Sequence, residues 1–287
     1  MATNLRQAKN AIRIEGILAT KELEESSDAN GRVVKGSLSI KVDDTNTIKV
    51  KVYVGEKKKD GGENPAFKGI MTVLNEYKSI AEVGEEAADK IRTTAQFNTY
   101  QNSNGANAVS YQASFFSRSD NFNPQRTFSA ECYIMSTSRE VDSEGNETGR
   151  VNVKAISPNF AGIDILEMVA PKSNELDPNF GESVYDTLEV GATYKIEGEV
   201  VNSRVEKKAV AAFGKVRGDV DYKNELVITG GTPAYEEDRA YDSEAIRLAI
   251  QEYEDTQKRK AAERQSKAPS TSAAKPSGAA SGRTMPW

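Results

Sequence analysis

Apolar and polar residues alternate along most of this chain, and the period changes only where a helix is expected. Ile12, Ile14, Gly16 and Leu18 share one phase against Arg13, Glu15 and Ile17, which predicts a half-buried strand. Val34, Gly36, Leu38, Ile40 and Val42 alternate with Lys35, Ser37, Ser39 and Lys41. Ile48, Val50, Val52 and Val54 alternate with Lys49, Lys51 and Tyr53. The turn-forming run Asp43-Asp44-Thr45-Asn46 between them makes these two strands a hairpin. Residues 64–83 then switch to helical spacing, with Phe67, Ile70, Met71, Leu74, Tyr77 and Ala81 on one face. Asn64 suits the cap, Pro65 the first helical position and Gly84 the stop. Residues 91–100 and 109–117 read as two further strands. The order is three strands, a helix and two strands.

The second half repeats the pattern less clearly. Strands are expected at 128–134, at 150–156 (ended by Pro158), at 162–169, 192–201 and 225–229, with a short helix near Ser183. Residues 21–31 and 204–223 read as polar loops, the latter alternatively as a distorted strand. Residues 236–265 predict a charged helix with a modest apolar stripe through Ile246, Leu248, Ala249, Ile250 and Tyr253. Residues 266–287 are low in complexity and are expected to be disordered, ending in Pro286 and the only tryptophan, Trp287. The domain division is therefore 1–122, 123–235, the helix 236–265 and the tail 266–287.

Composition narrows the chemistry. The chain has no histidine and one cysteine, so it holds no intramolecular disulfide, no Cys/His zinc site and no His-dependent triad. Cys132 reads as a small core residue of a reducing compartment. No apolar run reaches membrane-spanning length and residues 1–10 lack the apolar middle of a signal peptide, which predicts a soluble, cytoplasmic protein. Seven basic residues and one acid in 257–287 give that segment +6 against a chain net of −5, leaving −11 on the remainder. Broad affinity for polyanions is disfavoured by that body, and a local basic groove is not. No phosphate loop, dinucleotide turn, HExxH run or nucleophile elbow is present, and the carboxylates sit in loops and on the charged helix. The reading is of a non-enzyme that needs no cofactor and no metal.

Candidate binding residues fall in three groups. On the outer face of the hairpin, Lys35, Lys41, Lys49 and Lys51 stand with Tyr53, the mixture of cations and an aromatic that single-strand binding uses. The same lysines also suit a solvated face that resists edge aggregation. Beyond the helix, Tyr100, Tyr111, Phe115 and Phe116 gather near Arg92, and a regular strand must turn one of the two adjacent phenylalanines outward, to stack on a base or to pack on the second unit. Third, Arg204, Lys207, Lys208, Lys215 and Arg217 surround Phe213 between the last two strands.

The motifs IRIEGILATKELEE, the KGSLSIKV and TIKVKVYV hairpin with its helix, and YKIEGEVVNSR resemble those of bacteriophage single-stranded DNA-binding proteins with OB-fold domains. The resemblance implies a mainly β chain with some α: two tandem five-stranded OB-fold-like barrels, then an acidic helix and a disordered C-terminal tail. It also implies sequence-tolerant coating of single-stranded DNA in replication or recombination. The tail is similar to that of bacterial single-stranded DNA-binding proteins, which implies docking of replication or recombination proteins through the acidic helix and through Pro286 and Trp287. It departs from them in lacking acids just before the tip. The acidic helix is expected alternatively to compete with DNA for the groove. The rival function is a phage structural or adaptor protein that uses the barrels for protein contacts alone.

Overall fold

In a computed structural model, residues 5–28, 31–58, 60–102, 105–207 and 219–267 are described, with backbone alone at 28, 204–207, 219–222, 261 and 264–267. The strands of the first half are β1 (Ala11–Asp28), β2 (Gly31–Lys41), β3 (Thr47–Gly55), β4 (Lys90–Gln101), β5 (Asn107–Gln112) and β6 (Phe116–Arg118). Helices α1 (Pro65–Glu76) and α2 (Ile80–Val83) lie between β3 and β4. The second half holds β7 (Gln125–Val141), β8 (Glu147–Asn159), β9 (Gly162–Ala170), α3 (Phe180–Thr187), β10 (Thr193–Lys207), β11 (Asp219–Gly231) and α4 (Ser243–Lys267).

Hydrogen bonding runs β1-β2-β3-β5-β4 and closes back onto β1, with β3 and β5 parallel. The second ring repeats this as β7-β8-β9-β11-β10, closing onto β7, with β9 and β11 parallel. Each is a five-strand ring of OB topology, closed at its parallel pair by two residue pairs, Val50 with Tyr111 and Lys51 with Gln112 in the first and Leu226 with Met168 and Val227 with Val169 in the second. A helix follows the third strand in both. β1 pairs β4 on one side and β7 on the other over Ala11–Glu15, which fuses the barrels into one sheet.

Both barrel interiors join one apolar cluster. Phe97 of the first meets Phe128 of the second edge to face, with centroids 6.0 Å apart. Phe67, Ile70 and Val73 of α1 plug the first barrel and Val184 of α3 packs on the second. Gly16 and Gly198 permit close strand crossings, since a Cβ at either would lie 2.3 Å or 2.2 Å from a backbone carbonyl.

Several boundaries differ from expectation. Residues 21–31 are mostly strand: β1 runs to Asp28 and pairs β2 as far as Gly31, forming an arm in which Leu23 is the one apolar side chain of residues 21–28 and packs against the core. The expected helix 64–83 breaks at Tyr77, which turns extended, and restarts as α2 through a capping box between Ser79 and Glu82. The strand 109–117 is interrupted at 113–115. β8 passes through Pro158, whose carbonyl accepts from Ala8 N at 2.8 Å. Residues 204–207 and 219–223 extend β10 and β11 into a second arm. α4 begins at Ser243 because Glu236 starts a separate turn and Asp242 accepts from Ala245 N. Residues 268–287, with Pro286 and Trp287, lie outside the described residues. Among the described residues no helix is long and apolar enough to cross a membrane.

Candidate nucleic-acid interface

The hairpin face carries its lysines as the alternation predicts, and most of their charge is already matched. Lys49 Nζ lies 3.0 Å from Glu22, Lys35 Nζ 3.2 Å from Glu24, and Lys41 Nζ 2.8 Å from Glu85 and 3.2 Å from Asp44. The strand arm causes this, since its register sets Glu24 opposite Lys35 and Glu22 opposite Ser37. The hydrogen bond from Lys49 holds the Glu22 carboxyl below its ordinary pKa. Three of the lysines on this face are thus ion-paired, Lys41 with two carboxylates, and Lys51 stands apart from them. Such exposed pairs are weak and open readily to a competing anion. Lys51 Nζ sits 4.8 Å over the ring of Tyr100, which is 42% exposed, and Tyr53 on the same strand is 55% exposed.

At the other end of β4 from Tyr100 is a cleft of about 510 Å³ where β1, β4, β6 and β7 meet. β4 alternates without a break from Lys90 to Asn98, so Arg92, Thr94, Gln96 and Asn98 all point outward. Register sets Arg13 beside Thr94 and Glu15 beside Arg92. Glu15 is nearly buried. Burial pushes its pKa up, but donors from Ser119, Asn123 N and Gln125 outweigh that and leave it lowered. Its charge is therefore held in the wall of the cleft. Arg92 Nε donates to Ser117 Oγ at 3.3 Å, and among the described residues Arg13 forms no ion pair. Phe115 lies where the strand breaks between β5 and β6, and it is 63% exposed at the rim. Its carbonyl accepts from Thr93 Oγ1 at 2.6 Å.

Arg13 is the residue that sequence reasoning missed. Its signal was there: it stands on the outward phase between Ile12 and Ile14. Phe115 and Arg92 line the same cleft. Phe116 also lines it, half-buried and packed against the core. Tyr111 is 3% exposed, and burial raises its hydroxyl pKa, so it faces the barrel interior and offers no stacking surface. The backbone of Arg204 and Lys207 lies in β10. Lys208, Phe213, Lys215 and Arg217 lie outside the described residues. Two neighbouring arginines are structural. Arg118 pairs with Asp89 at 2.6 Å, and Arg126 bridges Glu199 at 2.9 Å and Asp43 at 3.5 Å.

Residues 9–267 match the YorF family model, so the chain belongs to the YorF family. No curated protein sequence matches it. Among solved structures it is similar to the wild-type single-stranded DNA binding protein from Thermus aquaticus, at 11% identity and TM-score 0.49, covering 80% of this chain and 95% of that one. A deletion and point mutant of the same protein gives 12% identity and TM-score 0.49, covering 80% and 97%. A likeness at that level leaves the reading of function to the residues themselves.

Proposed function

We propose that this YorF-family chain binds single-stranded DNA along the outer face of its first barrel, without catalysis and with little sequence preference. One observation carries the reading: a single exposed face has cations and aromatics at both ends. Arg13, Arg92 and Phe115 share the cleft, and Lys51 lies against Tyr100 at the other end of β4. Cations that track the backbone and rings that accept any base are the two parts of sequence-tolerant single-strand binding. At about 3.4 Å per residue, β4 from Arg92 to Tyr100 spans roughly 27 Å, enough for several nucleotides.

The resemblance of the hairpin and its helix to phage single-stranded DNA-binding proteins supplies the setting. The protein would coat DNA during phage replication or recombination in the host cytoplasm, with Pro286 and Trp287 recruiting partner proteins.

The test is fluorescence anisotropy with oligo(dT) over a salt series, beside duplex DNA and matched RNA. Three phosphate contacts from Arg13, Arg92 and Lys51 give a slope of log K against log salt of about −2. Alanine at all three should abolish most of that slope. Absence of binding, with self-assembly instead, would favour the adaptor role. Tighter RNA binding would move the substrate to RNA.

A further inference from the structure

The outward row of β4 runs on from the Arg92 cleft to Asn98, and there meets a second cavity of about 280 Å³. Its walls come from β4, the β8–β9 turn and α4. On α4 the lining residues Ala249, Tyr253, Thr256, Gln257 and Lys260 recur at helical spacing and form one face. Glu254 and Asp255 fall off that face by the same spacing. The helix that reads as acidic therefore turns amide, hydroxyl and ammonium groups toward the path of β4, with Glu252 its one acid there.

The chemistry of the cavity suits a base better than a phosphate. Asp164 is buried in it and accepts from Thr99 N at 3.0 Å, Thr99 Oγ1 at 2.8 Å and Asn159 Nδ2 at 2.8 Å. Two carboxylates, Asp164 and Glu252, disfavour an anion. The side-chain amides of Asn98 and Gln257 each offer a donor pair and an acceptor, the groups that read a base edge.

We propose that this cavity between the barrels and α4 is a nucleobase pocket, in which Asn98 and Gln257 engage the edge of one unstacked base while Lys260 meets the adjoining backbone. The inference rests on the single-stranded DNA reading above and adds α4 to the interface as a contributor rather than a competitor. From Arg92 to Asn98 is roughly 20 Å along the strand. At the stacked spacing of about 3.4 Å per nucleotide, an oligonucleotide must reach roughly six residues to occupy both sites.

The experiment compares wild type with Asn98→Ala/Gln257→Ala and with Lys260→Ala, all in the full chain. Probes are oligo(dT) of increasing length and the same oligomers with abasic sites throughout. The amide double variant should weaken long oligo(dT) about tenfold, and leave short oligomers and the abasic series unchanged. Lys260→Ala should lower the salt slope for long oligomers by about 0.7. Photocrosslinking of 5-iodo-deoxyuridine oligomers should label residues of α4. If wild type binds DNA but both variants bind every probe equally and no crosslink reaches α4, the cavity is a water-filled gap and the inference falls. If wild type binds no DNA, the functional reading itself falls.

Discussion

Asp43 offers the sharpest test of how the two barrels are held. Its Oδ1 accepts from Thr45 N at 2.9 Å, Thr45 Oγ1 at 2.8 Å, Asn46 N at 2.8 Å and Asn46 Nδ2 at 2.9 Å. The turn so formed buries Asn46, whose Oδ1 accepts from Asn202 N of the second barrel at 3.1 Å. Burial alone would raise the Asp43 pKa, but the donors prevail and bring it from 3.8 to about 2. Taken whole, that fall is worth about 2.5 kcal/mol of stability near neutral pH. The side chain is 42% exposed, so solvent screening reduces this to about 1 kcal/mol. A carboxyl whose folded pKa is depressed binds its proton more readily in the unfolded chain. Its contribution is thus present above the unfolded value near 3.8 and fades as pH falls toward 2. Asp43→Asn keeps the shape and removes the titration. Urea unfolding followed by circular dichroism should show the variant weaker by about 1 kcal/mol near neutral pH, or about 2–4 °C in Tm, with most of that deficit gone by about pH 2. A deficit of the same size at both pH values, or none near neutrality, would refute the latch.

Three further outcomes follow from contacts already described. Glu22→Gln with Glu24→Gln frees Lys49 and Lys35, so oligo(dT) affinity should rise and the salt slope steepen by about 1.4 if both lysines then reach phosphates; unchanged anisotropy titrations would remove the hairpin face from the path. Tyr100→Ala should cost DNA affinity about tenfold, in line with roughly 1–3 kcal/mol per stacked base, while Tyr111→Phe leaves affinity alone; equal effects would contradict their opposite exposure. The Tyr253 hydroxyl is buried and has no hydrogen-bond partner, so Tyr253→Phe should leave thermal stability unchanged or raise it by up to about 1 kcal/mol, whereas a large loss would reveal a partner for that group.

Strands with one buried face were legible in the sequence because burial writes a period of two into them. β3 follows it residue by residue, whereas β2 breaks phase, burying Val33 with Val34 and Ser37 with Leu38 and exposing Lys35 with Gly36. The arm of β1 was not legible, since its covered positions include Lys21, which donates to the carbonyls of Leu74 and Tyr77, and its exposed ones are Glu22, Glu24 and Glu25, so polar residues stand on both phases. That omission hid the ion pairs too: Glu22 and Lys49 are far apart in the chain and meet only once β1 runs on past Leu23. The start of α1 was readable because Asn64 and Pro65 act locally, and Asn64 Oδ1 does accept from Ala66 N. Its end was not, because it is set at a distance: Lys78 N donates to Asp89 and draws the chain out of the helix.

The two barrels share a topology and differ in what their outer faces demand. β2 and β3 turn polar side chains outward and need no cover. β7, β8 and β9 turn out Tyr133, Met135, Ile156 and Ile163, an apolar patch that water would not leave bare. Ile246, Ala249, Ile250 and Tyr253 of α4 cover it, with Leu5 and Ala8 from the N-terminal segment. Glu131 secures both covering segments, accepting from Arg6 Nη1 at 2.7 Å, Lys9 N at 2.9 Å and the Tyr235 hydroxyl at 3.0 Å. The first half of α4 is therefore committed to packing, and of its acids only Glu252 lies beside the packing residues Ala249 and Tyr253. None of the described residues lining the Arg13–Arg92 cleft comes from α4, which argues against a helix lying in that groove to exclude DNA. Removing residues 236–287 would bare Ile156 and Ile163, so any gain in DNA affinity from that deletion has to be read beside the cost of uncovering them. Point changes on the exposed side of α4, at Glu254 and Asp255, separate the two effects: they alter the charge of the helix while its packing face stays whole.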